Sequence, residues 1–281
     1  MPREKAYFWP EWFAAALPWH QRRLITPRLI AKLNRANLYL WRALNIYDDF
    51  LDGDGRPERL PRGNDYYRRF LDSYYRLNLR ADFYLLFNRW LKDLDNCNRR
   101  EILQNKITVN NGKINYSKNL PDFSDLKNPA RKSLPLGLGP LAMLSVLGYS
   151  VNSPEAQQTV NFFRAACAAK QLSDDARDWR EDLTDGRITA ANVLVLRAAA
   201  ERHLNLDLNQ KSEIADLLFA TQAAGKISEN IRQLCRQARK AATKIGLSPD
   251  SRLITEILVP LESAVRKARQ FHRLLKISKS D

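Results

Sequence analysis

The chain has 281 residues, 44% hydrophobic and 27% charged, proportions that suit a soluble globular protein with a substantial core. An excess of lysine and arginine leaves a net charge of +15, which favours anionic partners: a diphosphate, an anionic membrane surface or nucleic acid. Three cysteines (Cys97, Cys167 and Cys235), odd in number and without metal spacing, exclude a disulfide framework and point to the reducing cytoplasm.

The opening residues lack the apolar run of a signal peptide. Residues 1–25 are aromatic and basic, with Trp9, Trp12, Phe13 and Trp19 ahead of Arg22 and Arg23. They read as a short helix packed on the core, or alternatively as an anchor at a membrane surface. Thr26-Pro27 then supplies an N-cap and a first-turn proline. Leu29, Ile30, Leu33, Asn37, Leu40, Leu44 and Tyr47 follow at helical spacing, and Gly53-Asp54-Gly55 ends the helix. Its last turn carries Asp48-Asp49-Phe50-Leu51-Asp52, in which Asp48 and Asp52 share a face. Arg56, Arg59 and Arg62 come next and are candidates either to neutralise the carboxylates or to bind a phosphate.

From 64 to about 107 the pattern is helical and rich in tyrosine and phenylalanine, a stripe that reads first as core. Residues 108–133 are polar and turn-rich and are expected to form a flexible loop. The apolar window from Leu134 to Val151 is broken by Pro135, Gly137, Gly139 and Pro140, so it predicts a buried helix near Pro140 instead of a membrane span.

Ser153-Pro154 opens a second long helix. Its middle, Ala165-Ala166-Cys167-Ala168-Ala169, suits either close helix packing or open volume alongside. Gln171 follows, then a ladder of Asp174, Asp178 and Asp182 with Asp175 on its edge, and Gly186-Arg187 closes the segment. Like charges at these spacings cost roughly 0.2–0.5 kcal/mol per pair, a penalty that a bridging cation removes. Carboxylates without His or Cys point to Mg2+, which takes one or two of them and leaves room for substrate phosphates. Residues 190–205 and 210–246 read as helices, and Ser248-Pro249 is expected to cap a last helix running to about Ile277. The basic residues of this last third read as a solvated face, with anionic lipid or nucleic acid as the alternative. No strand signal stands out, and the chain is expected to form one all-α domain over 1–281.

The two acidic runs resemble the paired aspartate motifs of the class I isoprenoid synthases. Asp48-Asp49-Phe50-Leu51-Asp52 is similar to the first motif. Gln171 with Asp174-Asp175-Ala176-Arg177-Asp178 is similar to the second motif of chain-elongating prenyl diphosphate synthases. The overlapping stretch from Arg177 to Asp182, with Gly186-Arg187 beyond, is similar to that of squalene and phytoene synthases. The resemblance implies a helical bundle with a central cavity and Mg2+ held by Asp48, Asp52, Asp174, Asp178 and Asp182, with Asp49 and Asp175 as further ligands. It implies diphosphate contacts from Arg56, Arg177, Arg187 and Gln171, and ionisation of an allylic prenyl diphosphate followed by carbon–carbon bond formation. The glycine-lysine-arginine segment of elongating synthases is absent before Asp48. That favours a terpene or squalene/phytoene-like synthase over a chain-elongating one. A membrane surface and a second copy of the chain are expected partners, and nucleic acid is not. The reading from another class is a non-catalytic basic helical protein that binds nucleic acid or an anionic membrane.

Overall fold

A computed structural model describes residues 3–115, 119–123, 130–204, 206–209 and 223–278. Ten α-helices account for most of them. These are α1 (Trp9–Ala16), α2 (Trp19–Arg22), α3 (Pro27–Leu51), α4 (Leu60–Tyr75), α5 (Ala81–Leu103), α6 (Leu138–Val146), α7 (Pro154–Thr184), α8 (Asn192–Glu201), α9 (Ala223–Ile245) and α10 (Arg252–Ser278). No described helix is long and apolar enough to cross a membrane. The chain divides into two compact units. The first comprises Met1–Asp95, Arg131–Arg164 and Gln237–Ile257, and the second Asn96–Ala130, Ala165–Arg236 and Leu258–Asp281.

In the first unit, Thr26 caps α3 as expected, its hydroxyl accepting from the Leu29 amide at 3.2 Å. Asn37 interrupts the apolar face of α3 for a tertiary reason. It is fully buried and donates to the Leu136 carbonyl at 2.8 Å, tying α3 to the 3₁₀ turn Leu134–Gly137. Two glycines let that region close up. A Cβ at Gly139 would lie 2.5 Å from Pro10 of α1, and one at Gly137 would lie 3.0 Å from the Phe163 ring. Trp9 stacks on the same phenylalanine with centroids 5.2 Å apart. The aromatic stripe is largely core: Phe70, Tyr74, Phe83 and Phe87 are wholly buried, and each of the three phenylalanines contributes about 1.5–3 kcal/mol by leaving water. The stretch beyond residue 64 is two helices, α4 and α5, joined through Tyr84, whose hydroxyl donates to the Tyr74 carbonyl.

The second unit has its own core of Trp179, Leu183, Ile188, Val193, Leu196 and their neighbours. The segment expected to be a strandless loop contains a hairpin, β1 (Thr108–Asn110) paired antiparallel with β2 (Lys113–Asn115). Asn111 and Gly112 both take positive φ at its turn, 50° and 81°, which is the geometry Asn-Gly supplies. Ile114 is buried there and donates its amide to Leu206. Residues 116–118 and 124–129 of that segment, and 210–222 of an expected helix, lie outside the described residues.

Ser248-Pro249 does not cap α10. The Ser248 amide donates to the Ala16 carbonyl, and the helix begins at Arg252.

Candidate active site

Both acidic runs end their helices in the same way. After α3, Gly53 (φ 87°) donates to the Phe50 carbonyl and Asp54 donates to Asp49. After α7, Gly186 (φ 71°) donates to Leu183 and Arg187 donates to Asp182. Each pair of bonds is the glycine-terminated Schellman arrangement. It leaves Asp48 and Asp49 in the last turn of α3 and Asp182 in the last turn of α7, where the dipole is negative and carboxylates are least favoured. Local cations answer that charge in both places.

In the first unit, Gly63 brings α4 close to α3, where a Cβ would meet Ile46 at 3.1 Å, two residues before Asp48. Asp48 Oδ1 lies 3.0 Å from Lys132 Nζ, and both side chains are about four-fifths buried (22% and 21% exposed). Asp49 pairs with Arg59. Gly55 permits that pairing, because the chain doubles back so tightly that a Cβ would fall 2.4 Å from the Phe50 ring. Asp52 is the C-cap residue of α3. Of the three arginines beyond the run, Arg59 reaches a carboxylate and Arg62 turns to the Tyr66 hydroxyl at 2.9 Å. Arg56 is exposed and makes no ion pair among the described residues.

In the second unit, Asp174 pairs with Lys170 at 2.5 Å and with Arg177. Asp182 pairs with Arg187 at 3.2 Å, and Arg187 also reaches Asp185 at 2.8 Å. Asp178 is exposed and has no ion pair among the described residues. Asp175 is different in kind. It is buried, and its oxygens accept from Gln171 Nε2 at 2.7 Å and from the Ala190 amide at 3.3 Å. Burial pushes its carboxyl up to about 7. The Gln171 bond opposes that shift, the Asp182 charge adds to it, the Ala190 bond opposes it and the Glu101 charge adds to it. The Ala190 bond fixes the segment that enters α8, where Thr189 and Asn192 exchange capping bonds and Asn192 Nδ2 holds the Arg187 carbonyl at 2.9 Å. Arg187, one of the diphosphate candidates of this unit, is thereby set by backbone as well as by its ion pairs.

Basic side chains near both runs escaped the sequence reading. Lys170 was legible, four residues before Asp174 on the same helix face. Lys132 was not, because a fold-dependent approach brings it to Asp48. Arg164, half-buried in α7, is held below its usual range first by burial and then by the charges of Arg131 and Arg89, with Asp93 opposing.

No group of three or more His, Cys, Asp or Glu among the described residues forms a ready-made metal cage. Magnesium does not require one, since it commonly takes one or two carboxylates and completes its shell with water and phosphate oxygens. The donors here are all carboxylate oxygens, and exposed Asp178 is unpaired among the described residues, so the residues fit that ion on chemical grounds.

No protein-family model matches the chain, and no curated protein matches it by sequence. In three dimensions it is similar to a geranylgeranyl pyrophosphate synthetase from the archaeon Geoglobus acetivorans, with a TM-score of 0.66 at 16% identity, over 92% of this chain and 84% of that one. At that identity the likeness speaks for architecture alone: this chain has an all-α fold shared with that synthetase.

Proposed function

We propose that this protein is a magnesium-dependent isoprenoid synthase that ionises an allylic prenyl diphosphate in the cytoplasm and forms a carbon–carbon bond. One observation carries the reading. In a chain of this fold, two long helices each end at a Schellman glycine in a run of aspartates. Asp48, Asp49 and Asp52 on α3, with Asp174, Asp178 and Asp182 on α7, are the residues that would hold Mg2+. Bound there, the ion supplies positive charge to the departing diphosphate.

The chain's own cations do the remaining electrostatic work. Arg56, Arg177 and Arg187 are the proposed diphosphate contacts, binding phosphate oxygens through paired N–H donors. The allylic carbon–oxygen bond breaks with both electrons leaving on the diphosphate. The resulting cation is captured by a carbon–carbon double bond, and a proton is then lost. Lys132 pairs with Asp48, Arg59 with Asp49, and both Lys170 and Arg177 with Asp174. A substrate that arrives with its own cations exchanges these pairs for others, while Asp178 is open to a cation from the start. Asp175 is assigned a positioning role: both its oxygens are engaged, and its bond to Ala190 orders the Arg187 segment.

A terpene or squalene/phytoene-like reaction is the first reading. The second is chain elongation, favoured by the architecture shared with a geranylgeranyl pyrophosphate synthetase. Incubation of the pure protein with Mg2+ and geranyl, farnesyl or geranylgeranyl diphosphate, with and without isopentenyl diphosphate, tests both. Hydrocarbon made without isopentenyl diphosphate supports the first, and a longer diphosphate made only with it supports the second. No diphosphate release under any condition would overturn the enzymatic reading.

A further inference from the structure

Between buried Leu17 and buried Ile25 the first unit holds out a short turn that includes α2, none of whose residues is buried. Trp19 is 72% exposed and Leu24 61% exposed. Trp19 is the one strongly exposed tryptophan of six. The turn is held in place. Gln21 Nε2 donates to the Tyr149 hydroxyl at 3.0 Å, and the Ser248 amide donates to Ala16 at 3.2 Å just before the turn. Its amides also bond within it, Arg23 to Trp19 and Ile25 to Arg22. Two large apolar side chains are thus presented to water by a pinned backbone.

The sequence around them is cationic, and the carboxylate that meets this stretch of α3, Glu11, is bonded to Asn34. From Trp12 to Tyr47 the chain has six cations and no carboxylate. Arg22 and Arg23 sit between the two apolar residues, and Arg23 lies over the Trp19 ring at 5.2 Å. Arg28, Lys32 and Arg35 continue along the exposed face of α3 at helical spacing, with no ion pair among the described residues.

We propose that this turn is a docking surface for an anionic lipid bilayer. Trp19 and Leu24 enter the headgroup boundary, and Arg22, Arg23 and the first turns of α3 pair with lipid phosphates. An indole that is apolar in body and polar at one edge suits that boundary. Leu24 argues for a bilayer over nucleic acid, since an exposed aliphatic side chain neither stacks on a base nor pairs with a phosphate. The inference is independent of the chemistry proposed above, because it is read without substrate or metal, and the failure of one leaves the other standing.

The test is sedimentation and tryptophan fluorescence of the full chain with vesicles of phosphatidylcholine alone and with about 30% phosphatidylglycerol. The expected result is binding to the anionic vesicles only, weakened by salt, with a blue shift in emission. Trp19→Ala with Leu24→Ala should weaken binding about tenfold or more and abolish the shift. Arg22→Gln with Arg23→Gln should also weaken it by at least about tenfold. Both pairs are exposed, so thermal melts should match the parent protein. Equal binding to neutral vesicles, or full binding by the Trp19/Leu24 variant, would overturn the proposal. So would unchanged vesicle binding by the Arg22/Arg23 variant with loss of affinity for a single-stranded RNA oligonucleotide. A Trp19/Leu24 variant that changes only from dimer to monomer would overturn it as well, in favour of a second copy of the chain.

Discussion

Lys132 sets its ammonium 3.0 Å from Asp48 Oδ1, on the first carboxylate of the α3 run, with both groups about four-fifths buried. A lysine so placed does part of what a divalent cation would do there. Lys132→Met should therefore destabilise the metal-free protein by about 1 kcal/mol, through the lost pair and the uncovered helix end. Added Mg2+ should raise the melting temperature of the variant more than that of the parent. Equal responses to the ion in both proteins would argue against metal binding at Asp48.

Asp175 and Asp178 are neighbours on α7 with opposite environments, and their substitutions should separate stability from activity. Asp178→Ala removes an exposed carboxylate, so the melting curve should stay within about 0.5 kcal/mol of the parent. Turnover of a prenyl diphosphate should fall at least about a hundredfold. Asp175→Ala strips the Ala190 amide and Gln171 of a buried acceptor, at a cost of about 1–3 kcal/mol. Urea denaturation alongside diphosphate-release assays distinguishes the two. If Asp175→Ala kept full stability and lost only activity, Asp175 would be a ligand and its positioning role would fail.

The sequence carried the helices and both acidic ends because those features are local. Thr26 and Ser153 cap the two long helices in the structure as their chemistry requires. Gly53 and Gly186 take the left-handed conformation that stops them. What was illegible depends on distant partners. Nothing near Lys132 signals Asp48, and nothing near Asp175 signals the Ala190 amide fifteen residues on. The Asn111-Gly112 turn had a local signal, but three-residue strands are too short to show alternation.

Asp82 offers a pH test away from the candidate site. Its carboxylate accepts from Ser150 Oγ at 2.7 Å, the Val151 amide at 3.1 Å and Arg80 Nε at 3.2 Å. The Ser150 bond is the largest cause holding its pKa below the ordinary 3.8. Burial opposes the shift, and Val151 and Arg80 add to it. A folded pKa below the unfolded one means stability that is present above about pH 4 and lost as pH falls through the folded value. Asp82→Asn should be less stable than the parent by about 1 kcal/mol at neutral pH. The gap should close on acidification, as read by urea melts across the acid range. A gap constant with pH would mean that the carboxylate charge contributes nothing.

Gly53 and Gly186 close equivalent turns, yet their tolerance of a methyl group should differ. Both hold positive φ, which costs an alanine about 1–2 kcal/mol at either site. At Gly53 nothing lies within 4 Å of the place a Cβ would take, so that backbone cost is the whole expected effect. At Gly186 the added carbon would stand 2.6 Å from the Ile107 carbonyl oxygen, inside any real approach distance. That oxygen belongs to the strip where Ile107 donates to Gly186 and Ile188 donates to Asn105, both at 2.8 Å. Relief of the clash would open those bonds and shift Arg187, the next residue. Gly186→Ala should therefore be the more destabilising of the two in thermal melts and the only one to impair diphosphate release beyond its loss of folded protein. Equal losses at both positions would show that the Ile107 strip yields without moving Arg187.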